Sequence, residues 1–471
     1  VASISVNSTS GTSQGAPSGG QIQAQISLFS LFFMWGFITC LNDILIPYLR
    51  GVFTLTIFQA TLVQFAFFGA YFLGALFYFL FSVRFGDPIN RIGYKNGIII
   101  GLVVAGAGCF LFYPAAIFLQ YGLFLGALFC LGLGLTMLQI AANPYVALLG
   151  RPESASSRLN LAQGFNSFGT TIAPVIGGFF IFQYFVTDAS AGEVAVKIPY
   201  IVLAGLFWLL AVVIFFIKLP KFANEDVIEK GAKVLGFSHL RGGIFAIFAY
   251  VGAEVAIGSL LINFMGLENI TGLEEGAASK LLSFYWGGAM IGRFMGAIMM
   301  SDKSTAGKKL AGMFALGVAG YAIVSLIAGV DFMDSLPYLI GLALNYVIFM
   351  IFGAHPNKVL AAFSLAAIVL LLVAVFMNGA ISMWALLFIG LFNSIMWSNI
   401  FTLAIKDLGR YTSQGSSLLV MAILGGALIP PLQGILADTF GIQMSFLLPV
   451  VCYIYLFYYG WKGYEVKQKA T

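Results

Sequence analysis

The sequence predicts an all-α polytopic membrane protein, and three observations carry that prediction. Of 471 residues, 60% are hydrophobic and only 9% are charged. Apolar runs repeatedly exceed the 18 or so residues that cross a bilayer as a helix. The basic residues fall in alternate loops between those runs, as orientation signals do.

Composition also excludes several classes. The net charge of +5 is spread singly over short loops, so no basic patch for nucleic acid exists. Cys40, Cys109, Cys130 and Cys452 lie inside apolar runs, without the paired spacing of a metal or disulfide framework, and read as small core residues. His239 and His355 flank apolar runs, and no HExxH, zinc or Ser/His/Asp constellation forms around them. The chain is therefore expected to have no catalytic residue and no cofactor.

Residues 1–25 are rich in Ser, Gly and Gln, carry no charge and lack the basic start of a signal peptide; a disordered lead-in is expected. Spans follow at about 27–49, 57–81, 97–117, 121–149, 159–186 and 198–218, an N-terminal bundle over 26–219. The polar stretch 220–241, with KFANEDVIEKGAK, reads as a linker. Eight further spans are expected at about 242–266, 278–300, 310–329, 336–353, 359–376, 381–405, 413–437 and 441–461, giving fourteen in all and a tail over 463–471. This count puts Arg84, Arg91, Lys95, Arg151, Arg158, Lys308, Lys309, Lys358, Lys406, Arg410 and Lys462 on one side, so both termini are expected in the cytoplasm.

The two halves echo each other. Gly150-Arg151 precedes Gly169…Pro174…Gly177, and Gly409-Arg410 precedes Gly426…Pro431…Gly434 at the same internal spacing. Such repeats are a mark of transporters.

Within the fifth span, LNLAQGFNSFG places Asn160, Gln163 and Asn166 on one stripe with Ser167 beside it. Amides in lipid must face a bundle interior or a ligand. Because they both donate and accept, they suit a neutral ligand covered in hydroxyls, or else bonds between helices. Gln64 lies one turn from Phe68 and near Tyr71, a polar and aromatic pairing suited to a sugar's edge and face. Asp43 and Glu254 are carboxylates inside apolar spans, where each needs a partner or a role. Arg293, also within an apolar run, needs a carboxylate or a helix end. Asn393 and Trp397 stand at i, i+4 and should share a helical face, where the indole stacks on a ring or simply packs.

LNDILIP (41–47), FQATLVQ (58–64), AANPYVALLG (141–150), LNLAQGFNSFG, YVGAEVAIGSLL (250–261), GRF (292–294) and GSSLLVMAILGG (415–426) together resemble the fucose–galactose–glucose:cation symporter family of the major facilitator superfamily. The YVGAEVAIGS stretch is most similar to its glucose/galactose branch. The resemblance implies two six-helix bundles around a central cavity, worked by alternating access. It also implies that Gln163, Asn166 and Trp397 stand at sugar-recognition positions, and that Glu254 replaces a glutamine. Residues 90–95 resemble the superfamily's cytoplasmic loop motif, with Asn90 where an acid is usual, so Arg91 and Arg293 are expected to serve the gate.

Two departures matter. Ser301 to Pro356 intervenes between GRF and the KVLAA-like stretch at Lys358, so a hairpin at about 310–353 is expected as an insertion into the C-terminal bundle of 242–462. Gln139 stands where proton-coupled fucose symporters carry a glutamate, while Asp43 is kept. One permanent carboxylate with oxygens from Asn42, Gln139 and Asn143 suits sodium, a hard cation; a proton on Asp43 is the alternative. The expected protein is a monomeric symporter in a bacterial inner membrane, moving a neutral hexose inward with sodium or a proton. Its rivals are a proton-driven exporter and a transport-dead sugar sensor.

Overall fold

The computed structural model describes residues 19–53, 57–178, 194–217, 231–302, 304–353 and 355–466. Six helices form the first half: α1 (Gly19–Phe53), α2 (Ile57–Phe85), α3 (Pro88–Phe118), α4 (Tyr121–Leu148), α5 (Ala155–Gly178) and α6 (Val194–Phe216). The second half contains α7 (Ser238–Met265), α8 (Glu275–Met299), α9 (Ala306–Ala328), α10 (Tyr338–Phe352), α11 (Pro356–Phe376), α12 (Gly379–Asn393), α13 (Met396–Ala404), α14 (Thr412–Met421), α15 (Gly425–Phe440), α16 (Ile442–Ser445) and α17 (Leu447–Tyr458). No strand occurs among the described residues. Ten helical segments there are long and apolar enough to cross a membrane, and Gln25–Leu41 and Tyr338–Phe352 are shorter apolar ones. The helices carrying the amide stripe and Arg293, α5 and α8, fall outside that set because their polar and charged residues make them less apolar.

Packing repeats between the halves. α1 packs on α5, α3 on both α4 and α6, and α2 on α4. Correspondingly, α7 packs on α15, α11 on both α12 and α17, and α8 on α12. Helices α9 and α10 have no counterpart in this scheme: α9 lies against α8, and α10 against α12 and α11. Contacts of α5 with α8 and of α2 with α14 join the halves.

Glycine makes the intra-half crossings possible. A Cβ on Gly36 of α1 would run into the Asn166 carbonyl of α5, and one on Gly425 at the start of α15 would run into the Phe248 carbonyl of α7. Backbones touch at both crossings, as small residues permit in membrane bundles.

The halves are tied at the end where the basic loops gather. Asn90 Nδ2 donates to the Arg410 carbonyl (2.9 Å), Ser413 Oγ to the Tyr94 hydroxyl (3.2 Å), and Gln414 Nε2 to Ser82 Oγ (3.0 Å) and the Gly231 carbonyl (3.2 Å). Ser156 and Thr402 hydroxyls share a 2.7 Å bond, and Ser157 Oγ donates to the Ala297 carbonyl at 2.6 Å. Arg91, expected at the gate, instead donates to the Phe85 carbonyl of its own loop (2.7 Å) and is exposed. The cross-half bonds of residues 90–95 are made by Asn90 and the Tyr94 hydroxyl, neutral groups that reach across the seam without bringing a charge into it.

Asp87 caps α3 at the same end, accepting from the Ile89 amide (3.0 Å) and the Tyr78 hydroxyl (2.5 Å). Its second carboxylate oxygen is buried close to Ser413 and the Gln414 amide of α14. Burial pushes the Asp87 carboxyl up to about 6, and the Tyr78 and Ile89 bonds only partly oppose it. The ordinary value is 3.8, so the fold bears no cost below pH 4 and an increasing one as pH rises through 6, reaching about 3 kcal/mol. Thermal melting should therefore be higher at pH 5 than at pH 7.5, and Asp87→Asn should remove this group's share of the difference. An unchanged pH profile in that variant would contradict the assignment.

Candidate substrate and coupling site

A chain of polar side chains threads the bundle through both halves. Trp35 Nε1 on α1 donates to the Tyr71 hydroxyl of α2 (3.3 Å), which also lies within reach of Thr39 and of Gln139 on α4. One turn along α4, Asn143 Nδ2 donates to the Gln139 carbonyl (3.1 Å) while its Oδ1 accepts from Gln163 Nε2 on α5 (3.3 Å). Gln139, Asn143 and Gln163 are buried. Neighbouring helices satisfy these amides in series, which is how polar groups persist inside a membrane bundle.

Arg293 carries the chain across the seam. From α8 it donates Nε to the Ser394 carbonyl (2.9 Å), and it reaches α5 at the Gln163 carbonyl (3.5 Å) and the Ser167 hydroxyl. The Ser394 acceptor exists because the helix breaks between Asn393, the last residue of α12, and Met396, the first of α13. A broken helix leaves carbonyls without intrahelical partners, and a guanidinium is well made to take one.

The break falls between Asn393 and Trp397, the pair expected to share a face at i, i+4. They belong to different helices, and the Trp397 indole stacks on Phe401 with ring centroids 5.0 Å apart. Asn393 faces three tyrosines instead. Its Nδ2 donates to the Tyr285 hydroxyl (2.9 Å), its Oδ1 accepts from Tyr453 (2.5 Å), and its carbonyl accepts from Tyr250 (3.1 Å). Tyr250 also bonds Glu254 Oε1 (2.7 Å), one turn on along α7, and Tyr285 donates to the Glu254 carbonyl (2.9 Å). Glu254 lies within electrostatic range of Arg293.

The amide stripe of α5 divides its labour. Gln163 belongs to the polar chain, and Asn166 Nδ2 is held by the Phe32 carbonyl of α1 (3.1 Å). Asn160 is drawn toward the basic end, where it donates to Asn399 Oδ1 (3.4 Å) across the seam, and its own Oδ1 is buried without a partner. Helix α1 runs through Asn42 and Asp43, and α2 through Gln64, but the side chains of these three lie outside the described residues. Among the described residues no group of three or more His, Cys, Asp or Glu assembles. The sequence reading missed Tyr285, Tyr453 and Asn399. Tyr250 was missed as well, although it stands at i, i+4 to Glu254 on α7; the others were hidden among 20 tyrosines and an apolar run.

With this geometry in view, likeness to known proteins becomes informative. The family model of the major facilitator superfamily matches residues 26–358. The chain belongs to that superfamily. The glucose/galactose transporter of Brucella abortus is 44% identical over 445 residues, covering 93% of this chain and 94% of the relative. The L-fucose-proton symporter of Escherichia coli is 34% identical over 460 residues, covering 92% and 91%. In structure the chain is similar to FucP in the outward conformation, with a TM-score of 0.75, 32% identity, and coverage of 96% of this chain and 100% of that one. Within the major facilitators the chain thus falls in the fucose–galactose–glucose symporter family, whose members are transporters and not enzymes.

Proposed function

We propose that this symporter imports a neutral hexose of the glucose/galactose type and that its coupling ion is sodium. The observation that carries the reading is the run of polar side chains from Trp35 and Tyr71 through Asn143 and Gln163 to Arg293, which reaches the Ser394 carbonyl next to the cluster of Asn393, Tyr285 and Tyr453 in the other half. The sugar is taken between Gln64, Gln163 and Asn166 on one wall and Glu254 and Asn393 on the other, with Trp397 reached only through movement of α13. Sodium sits at Asp43, with oxygens from Asn42, Gln139 and Asn143. Asn160 serves the gate rather than the sugar.

The basic end is cytoplasmic, in a bacterial inner membrane, and the cross-half bonds there close the cavity to the cytoplasm. Opening inward requires Asn90, Tyr94, Gln414 and Asn160 to release α13 and α14. Fourteen spans result when α9 and α10 are counted as an insertion into the second bundle, and the chain acts as a monomer.

A proton is the second reading, favoured by one observation. Glu254 is a half-buried carboxylate whose only side-chain hydrogen bond among the described residues is from a neutral tyrosine, so proton transfer to it would cost little geometry. The kinship with a fucose-proton symporter points the same way.

Counterflow in proteoliposomes tests the substrate. Labelled glucose should enter vesicles preloaded with glucose or galactose, and external glucose and galactose should compete while fucose does so weakly. Fucose as the best competitor would overturn the substrate assignment.

A further inference from the structure

An apolar trough of about 680 Å³ opens on the outer flank of the second half, between α10, α11 and the end of α17. Small residues of α11, Ala361, Ala362 and Ala366, form its floor. Ile348 of α10 stands on one side, with Phe457 and Trp461 on the other. Gly460 lets the last turn approach α11 closely, since a Cβ there would press on the Ala361 amide at 2.8 Å. Helix α10, which lacks a counterpart in the first half, supplies the wall that turns the flank of α11 into a trough.

One end of the trough is polar. Asn357, Lys358 and Tyr464 line it there, and Lys358 is exposed. Among the described residues Lys358 makes no ion pair, and the Tyr464 hydroxyl makes no hydrogen bond. Trp461, 68% exposed, lies at the same end, and Lys462 follows it, exposed. Indole and phenol at the end of apolar helices are the membrane-interface pattern, and lysine there meets lipid phosphate. The length agrees. Lining residues on α11 run from Asn357 to Leu370, a rise of about 20 Å at 1.5 Å per residue. Half of a ~40 Å bilayer, headgroups included, is about 20 Å, the depth of one leaflet.

We infer that this trough is a binding site for one anionic phospholipid, its acyl chain lying along Ala362 and Ala366 and its phosphate held at Lys358 beside Asn357 and Tyr464. The lipid comes from the cytoplasmic leaflet on the orientation proposed above. It braces the α9–α10 hairpin against α11, a contact that protein alone makes only sparsely.

The purified full chain in detergent is titrated with short-chain phosphatidylglycerol or phosphatidylcholine, with native mass spectrometry counting retained lipids and thermal melting reporting affinity. Wild type should retain one phosphatidylglycerol saturably and raise its melting temperature, with phosphatidylcholine weaker. Lys358→Gln should weaken phosphatidylglycerol about fivefold, the effect of one interfacial lysine. Ala362→Leu should weaken both lipids by filling the floor. Equal retention of the two lipids, unchanged by Lys358→Gln, would overturn the site, as would the same stabilisation by inorganic phosphate alone. Sugar counterflow should persist in Lys358→Gln, which confirms that the variant is folded. Neither readout depends on the sugar or ion assignment, so the two accounts fail separately.

Discussion

Asp43→Asn should abolish concentrative uptake while leaving sugar exchange between equal pools largely intact. A cation entering down 100 mV releases about 2.3 kcal/mol, and each tenfold of accumulation costs about 1.4 kcal/mol. One ion per sugar therefore sustains roughly 40-fold accumulation from voltage alone. An amide keeps the size and one oxygen of Asp43 but gives up the charge that holds the ion. Accumulation should fall to equilibrium, whereas counterflow, which needs no net ion movement, should stay within a few-fold of wild type. Full accumulation by Asp43→Asn would end the assignment of this residue to coupling.

The second large effect is expected at Arg293. This side chain holds the Ser394 carbonyl at the α12–α13 break and, at the same time, the Gln163 carbonyl and Ser167 hydroxyl of α5. Lysine retains the charge but not the fork, and cannot serve both helices at once. Arg293→Lys should lower the transport rate at least tenfold, because one lost charge-assisted bond costs about 1.5–3 kcal/mol. If Arg293 gates, the variant should also expose the seam: a cysteine placed at Ser157, which now donates to the Ala297 carbonyl, should label faster than in the parent. A slower rate with unchanged labelling would mean that Arg293 acts on the sugar wall alone.

Much of this was legible because the constraints are local. Hydropathy located the helices, since lipid demands long apolar runs. The hairpin was visible as an interruption between GRF and Lys358, and the packing leaves α9 and α10 without counterparts at that place. Arg293 was rightly expected to need a helix end, and it found one at Ser394. What the sequence hid depends on tertiary geometry. Nothing in Asn393-Ser394-Ile395-Met396 marks a helix break, for no glycine or proline stands there. The break is held by the Ser394 hydroxyl on the Leu391 carbonyl (2.6 Å), by Asn345 on that same carbonyl (3.0 Å), and by Arg293. Asn160, one turn from Gln163, bonds across the seam, because α13 presents Asn399 to it from the other half.

The central claim is gradient-driven hexose import, and one measurement addresses it directly. Labelled glucose and galactose uptake is followed in proteoliposomes with an inward sodium gradient and, separately, an inward proton gradient. Accumulation above equilibrium under sodium alone is the expected result. Accumulation under the proton gradient alone would move coupling to Asp43 with Glu254 as titrating groups, and equilibration without accumulation under both would contradict symport.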